Sequence, residues 1–144
     1  MPVKVKKVVL WRKEIENKAG VLASVLEPLA GARAGLQILM GYRYPGAESK
    51  AAIELYPIAN KKTTAAARAA GLESSSIPAL LVQGDDKPAI GHAIAKALGD
   101  AQINLGFLVA QVIGGQYSAV LGFDSEADAD KAMPLIKKAG AGRK

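Results

Sequence analysis

Apolar and polar positions alternate through Val3-Lys4-Val5 and then close up into Val8-Val9-Leu10-Trp11, ahead of the polar stretch 12–18. β-Branched and bulky residues in this arrangement predict a strand over 3–11 followed by a loop. Val21, Leu22, Val25, Leu26 and Leu29 recur at helical spacing, which predicts a helix with one face on a sheet. Pro28 removes a backbone donor late in that helix, so a kink or an end near Gly31 is expected. Two strands, 36–44 and 50–57, flank the turn sequence Pro45-Gly46-Ala47-Glu48 and predict a hairpin. Asn60 offers an N-cap for an Ala-rich helix over 61–70, and Gly71 a left-handed ending.

After Ser74-Ser75-Ser76 the order restarts. The apolar run 77–82 predicts a strand, and Gln83-Gly84-Asp85-Asp86-Lys87-Pro88 leads to a helix through Ile90, Ile94, Ala97 and Leu98 to Gly99. Pro88 suits a first helical turn, where its missing N–H costs nothing. Strands over 102–113 and 116–123 flank Gly114-Gly115, whose glycines can take the positive φ of a primed hairpin turn. Ser125, with Asp128 three residues on, resembles a capping box for a last helix to about residue 138, leaving an irregular tail over 139–144.

Both halves therefore read βαββα, and aligning Gly20 with Ala89 offsets them by 69 residues, near half the chain. That offset points to duplication of one structural unit. The fold class expected is α+β: two ferredoxin-like modules, 1–73 and 74–144, with antiparallel sheets and helices on one face, joined in one compact unit. Pairing across Gly114-Gly115 puts Leu105, Phe107, Val109 and Val120 on one sheet face and Leu108, Ala110, Val112, Tyr117, Leu121 and Phe123 on the other. Two apolar faces imply that something packs on the second, a partner chain or another part of this one.

Composition narrows the function classes. Half of the 144 residues are apolar, enough for one substantial core or two small ones. The formal charge of +6 sits mainly toward the ends, and only seven aromatics exist, scattered, so no nucleic-acid footprint is expected. The absence of cysteine excludes disulfides, thiolate metal sites and a cysteine nucleophile. No apolar run is long enough for a membrane span or a signal segment, so a cytoplasmic protein without membrane contact is expected.

At the two strand-to-helix junctions the residues resemble the ACT-domain signature, a polar residue two before Pro-Gly and then a small apolar helix start. The first junction reads Asn17-Lys18-Ala19-Gly20-Val21-Leu22, with Ala19 where the family has Pro; the second reads Asp86-Lys87-Pro88-Ala89-Ile90-Gly91, with Ala89 where it has Gly. Gly35-Leu36-Gln37-Ile38 and Gln102-Ile103-Asn104-Leu105 resemble the stretch opening the family's second strand. The family's module is βαββαβ, so two copies call for eight strands, whereas six are legible here. The resemblance implies a regulatory module, not an enzyme, that binds a small molecule, an amino acid, and works as a homodimer or higher oligomer beside a regulated enzyme. No cofactor and no metal are expected. It places the ligand between the loop and the second strand of a neighbouring module, with Gln37 and Asn104 as facing residues.

The residues themselves support such a site. A helix N-terminus presents unpaired amides and partial positive charge to a carboxylate, and the small Gly20 and Ala89 let a ligand approach the backbone. Asp85 and Asp86, or Glu16 and Asn17, could accept from an α-amine. The candidate set is thus Glu16, Asn17, Lys18, Ala19, Gly20, Val21 and Gln37 with Asp85, Asp86, Lys87, Pro88, Ala89, Ile90 and Asn104. Asn17 and Asp86 could instead simply cap their helices. A structural interaction module with vestigial sites is the alternative favoured by Ala19 and Ala89. A small enzyme using His92 with Asp85 or Asp86 is a further one, weakened by the lack of a nucleophile or second base. Gly114-Gly115 is not a phosphate loop, since no helix follows and no lysine sits at the required spacing.

Overall fold

The computed structural model describes residues 3–141. Its elements run β1 (Lys4–Val8), β2 (Trp11–Glu16), α1 (Val21–Gly31), β3 (Ile38–Tyr44), β4 (Ala47–Tyr56), α2 (Lys61–Ala69), β5 (Glu73–Ser74), β6 (Ala79–Asp85), α3 (Ile90–Asp100), β7 (Leu105–Ile113), β8 (Gln116–Phe123) and α4 (Glu126–Gly140). They form an α+β fold with two four-stranded antiparallel sheets, ordered β1-β6-β8-β7 and β3-β4-β2-β5. Each sheet carries two helices on one face, the ferredoxin-like arrangement expected.

The division between the units differs from the expected 1–73 and 74–144. The strand expected over 3–11 ends at Val8 and pairs with β6, and most of the polar stretch 12–18 expected as a loop is a second strand. Trp11–Glu16 pairs with β4 and β5 because Trp11 and Ile15 alternate with polar residues at strand period. The described chain accordingly divides into an outer unit of residues 3–8 with 77–141 and an inner unit of residues 9–76. The cause is legible in the alternation. Val3 and Val5 point into the outer core and Lys7 continues that face, where it meets Glu126 and Asp130 of α4. Three consecutive apolar residues, Val8-Val9-Leu10, cannot keep one register with period two, and the backbone changes sheets there. With β1 and the two-residue β5 counted, each sheet gains its fourth strand among the described residues.

The outer core gathers Val5, Leu80, Val82, Ile94, Leu121 and Ile136 around the helical faces of α3 and α4. The inner core is smaller, built on Val25, Leu29, Ile53, Leu55, Ala67 and Leu72. Asn60 caps α2 in a full capping box with Thr63, and Ser125 accepts from the Asp128 amide at 3.1 Å to open α4. Gly114 and Gly115 both have positive φ, 57° and 80°, as the primed turn requires. Leu105 corrects one expectation: a register shift at Gly106 places it opposite Phe123, on the helix-covered face and not with Phe107 and Val109. Two boundaries also move. Pro88 precedes α3 instead of opening it, and α4 runs on through Gly140 where an irregular tail was expected; residues 142–144 lie outside the described part.

Candidate functional site: two strand-to-helix loops

The two junctions adopt one backbone shape. Gly20 precedes α1 at φ 90°, and Ala89 precedes α3 at φ 64°, both left-handed and neither with a side-chain cap. The first position carries the residue the geometry favours; the second places a Cβ there at a cost of about 1–2 kcal/mol. Neither Asn17 nor Asp86 caps its helix, so the capping alternative does not hold.

In the inner unit the Asn17 side chain donates to the Glu48 carbonyl at 2.9 Å while its backbone amide donates to Ser49. The β2–α1 loop is thereby pinned to the β3–β4 hairpin. Beside it opens a cleft of about 190 Å³, lined by Asn17, Lys18 and Leu22 on one side and by Gly41, Arg43 and Ile53 on the other. The Lys18 and Arg43 side chains are exposed and have no ionic or hydrogen-bond partner among the described residues. Glu16 lies at the end of β2, and Glu14 before it pairs with Lys50 at 3.9 Å; by alternation with Ile15 both acids fall on the other face of the sheet. Ala19 is exposed and Val21 half-buried at the helix start.

In the outer unit the equivalent loop is more occupied. Asp85 accepts from the Gln116 side chain at 2.8 Å, which lowers its carboxyl below the usual range. Lys87 reaches across to the Gly140 carbonyl at 2.9 Å and closes the end of α4. Ile90 is buried in the core, while Asp86, Pro88 and Ala89 are exposed. Burial, with the nearby Asp86 charge second, raises the Tyr117 hydroxyl above its ordinary value.

Gln37 and Asn104 are not brought to these loops within their own units. Ile38 pairs with Tyr56 and Glu16 with Lys50, so Gln37 and Asn17 sit at opposite ends of β4, roughly 25 Å apart at strand rise. Asn104, whose side chain lies 3.5 Å from Asp124, is likewise at the far end of β8 from Asp85. His92 is exposed on α3. Among the described residues no group of three His, Asp or Glu side chains could hold a metal ion.

A cluster the sequence reading missed lies on the helix-free face of the inner sheet. Glu54 is 0% exposed and accepts from the Tyr42 hydroxyl at 2.6 Å, with Arg12 Nε 4.0 Å away. Arg12 also donates to the Tyr44 hydroxyl and lies over its ring. Glu54 Oε1 and Arg12 Nε are buried without a hydrogen-bond partner. Burial, with the Glu54 hydrogen bond second, raises Tyr42 above the usual phenol range. The signal was available: Arg12 and Glu54 each sit one residue out of phase with the apolar positions of their strands, and they pair across the sheet.

No protein-family model matches the sequence, and no curated protein does. Solved structures match along nearly the whole chain. A protein from Bacteroides thetaiotaomicron shares 14% identity at a TM-score of 0.74, over 93% of this chain and 89% of that one. The ligand-free regulatory subunit of aspartate kinase from Thermus thermophilus shares 14% identity at a TM-score of 0.63, over 96% and 97%. Aspartate kinase from Synechocystis matches at 14% and 0.60, over 99% of this chain but only 27% of its own length. These likenesses establish the fold, and regulatory subunits are among the proteins that share it.

Proposed function

We propose that this chain is a ligand-sensing regulatory module of the ACT type, which binds an amino acid at the β2–α1 loop of its inner unit and passes the change to a partner enzyme. The observation that carries the reading is the cleft beside that loop, where Asn17, Lys18 and the open end of α1 face the edge strand β3. Free amides and the helix dipole stabilise a carboxylate there, and Gly20 leaves the approach clear, with no atom near the place of its missing Cβ. The likeness to an aspartate kinase regulatory subunit of nearly the same length supports a module without catalysis of its own. Self-association is supported by the edge strand β7, which exposes Leu108, Val109, Val112 and Ile113. Any role for Gln37 or Asn104 requires a module other than their own.

Thermal unfolding against a panel of amino acids tests this. A true ligand at 100 times its dissociation constant adds about 2.7 kcal/mol to stability. A flat panel favours the second reading, an interaction module without ligand, to which Ala19, the strained Ala89 and the apolar β7 edge already lend support.

A further inference from the structure

The cleft's lining constrains its ligand more tightly than the fold does. Two cationic side chains, Lys18 and Arg43, reach it from opposite walls, one from the loop and one from the edge strand. Neither has a partner among the described residues, and no carboxylate lines the space, because the acids of β2 lie on the other sheet face. Between the cations the floor is apolar, formed by Ile15, Leu22, Ala51 and Ile53, and Gly41 opens it by lacking a side chain. A cleft of about 190 Å³ holds about six water volumes of ~30 Å³ each, the scale of one small metabolite.

We infer that the inner-unit cleft selects a small ligand with two carboxylates joined by a short aliphatic chain, of the size of an acidic amino acid or the corresponding dicarboxylic acid. One carboxylate meets Lys18 at the loop, the second meets the Arg43 guanidinium, whose planar fork matches a carboxylate, and the methylenes lie on Ile15 and Ile53. A cationic side chain is disfavoured in the same place by like-charge repulsion. This inference rests on the reading above and sharpens it to one ligand class.

Calorimetric titration of the full chain with L-glutamate, L-aspartate, succinate, L-glutamine, L-leucine and L-lysine is the test. The expected result is that the dicarboxylates bind at least about tenfold more tightly than glutamine, leucine or lysine, each of which loses one charge-assisted contact. Comparable binding of succinate and aspartate places recognition in the two carboxylates alone; preference for aspartate adds the ammonium. Arg43→Gln should erase the discrimination between glutamate and glutamine. Gly41→Val, which fills the floor where no atom lies within 4 Å and suits a strand, should abolish binding while leaving the melting point unchanged or raised. Tighter binding of a neutral or basic amino acid, or dicarboxylate binding untouched by Gly41→Val, overturns the inference while leaving a sensor module standing. A flat panel overturns both.

Discussion

The two units place different chemistry at one equivalent spot. At the centre of the helix-free face of the inner sheet, Glu54 lies between Arg12 and Met40; in the outer sheet Val120 lies between Leu81 and Val109. Both central side chains are buried, Glu54 at 0% and Val120 at 5% exposure. Since the outer unit builds the same strand pairings from hydrocarbon, the ion pair is not a requirement of the fold. Desolvating two charges costs several kcal/mol, and here the return is incomplete, because one carboxylate oxygen and one guanidinium nitrogen find no partner. Stability is therefore a poor explanation for the cluster; what its contacts do is fix the Tyr42 and Tyr44 hydroxyls along β3.

Breaking the cluster from one side should produce the largest effect. Glu54→Ala strands the Arg12 charge and the Tyr42 hydroxyl and should cost about 3 kcal/mol in urea denaturation, at the low end for a broken buried pair because Arg12 keeps access to water. Converting the inner face to the outer pattern should do the opposite: Arg12→Leu, Tyr42→Phe and Glu54→Val together are expected to be neutral to about 2 kcal/mol stabilising. A loss of more than about 1 kcal/mol in that triple variant would mean the pair stabilises the fold after all.

The helix entries offer a smaller contrast. Gly20→Ala forces a Cβ into a left-handed backbone and should cost about 1 kcal/mol, whereas Ala89→Gly relieves the same strain and should gain about 0.5 kcal/mol after the entropy of the added glycine. Matched melting curves check both, and equal shifts of one sign would show that the loops are not equivalent. Smallest is an alkaline effect. Tyr42 and Tyr117 both hold their protons more tightly folded than unfolded, so stability is intact below pH 10, the ordinary phenol value, and declines as the pH rises beyond it. Tyr42→Phe and Tyr117→Phe should each flatten that decline, a comparison read from denaturation midpoints across the alkaline range.

Much of this architecture is legible in residue order, and the exceptions are instructive. Asn60, Ser125, Gly71 and the Gly114-Gly115 turn are local devices, each decided by neighbours within four residues, and each stands where the spacing places it. The switch at Val8-Val9-Leu10 is different, because which sheet a strand joins depends on β6, which lies more than seventy residues further along. Glu73–Ser74 escaped notice because two residues carry no periodicity. Of the candidate site, Asn17 and Lys18 gather at one cleft, while Arg43, Gly41 and the buried Glu54 emerge only once the hairpin register is fixed. Asp85 and Lys87 looked free for a ligand in sequence; their engagement with Gln116 and Gly140 is tertiary and has no local signature.

The detached first strand has a consequence for biosynthesis. Lys4–Val8 leaves the ribosome long before β6, the strand it must pair with, exists. At roughly 5–20 residues per second, the interval lasts on the order of several seconds. Throughout it Val3, Val5 and Val8 sit on an orphan segment that can recruit a chaperone or a neighbouring nascent chain, while residues 9–76 already carry every strand and helix of their own sheet. The inner unit can mature first, and the outer one can close only after the chain has been made through α4.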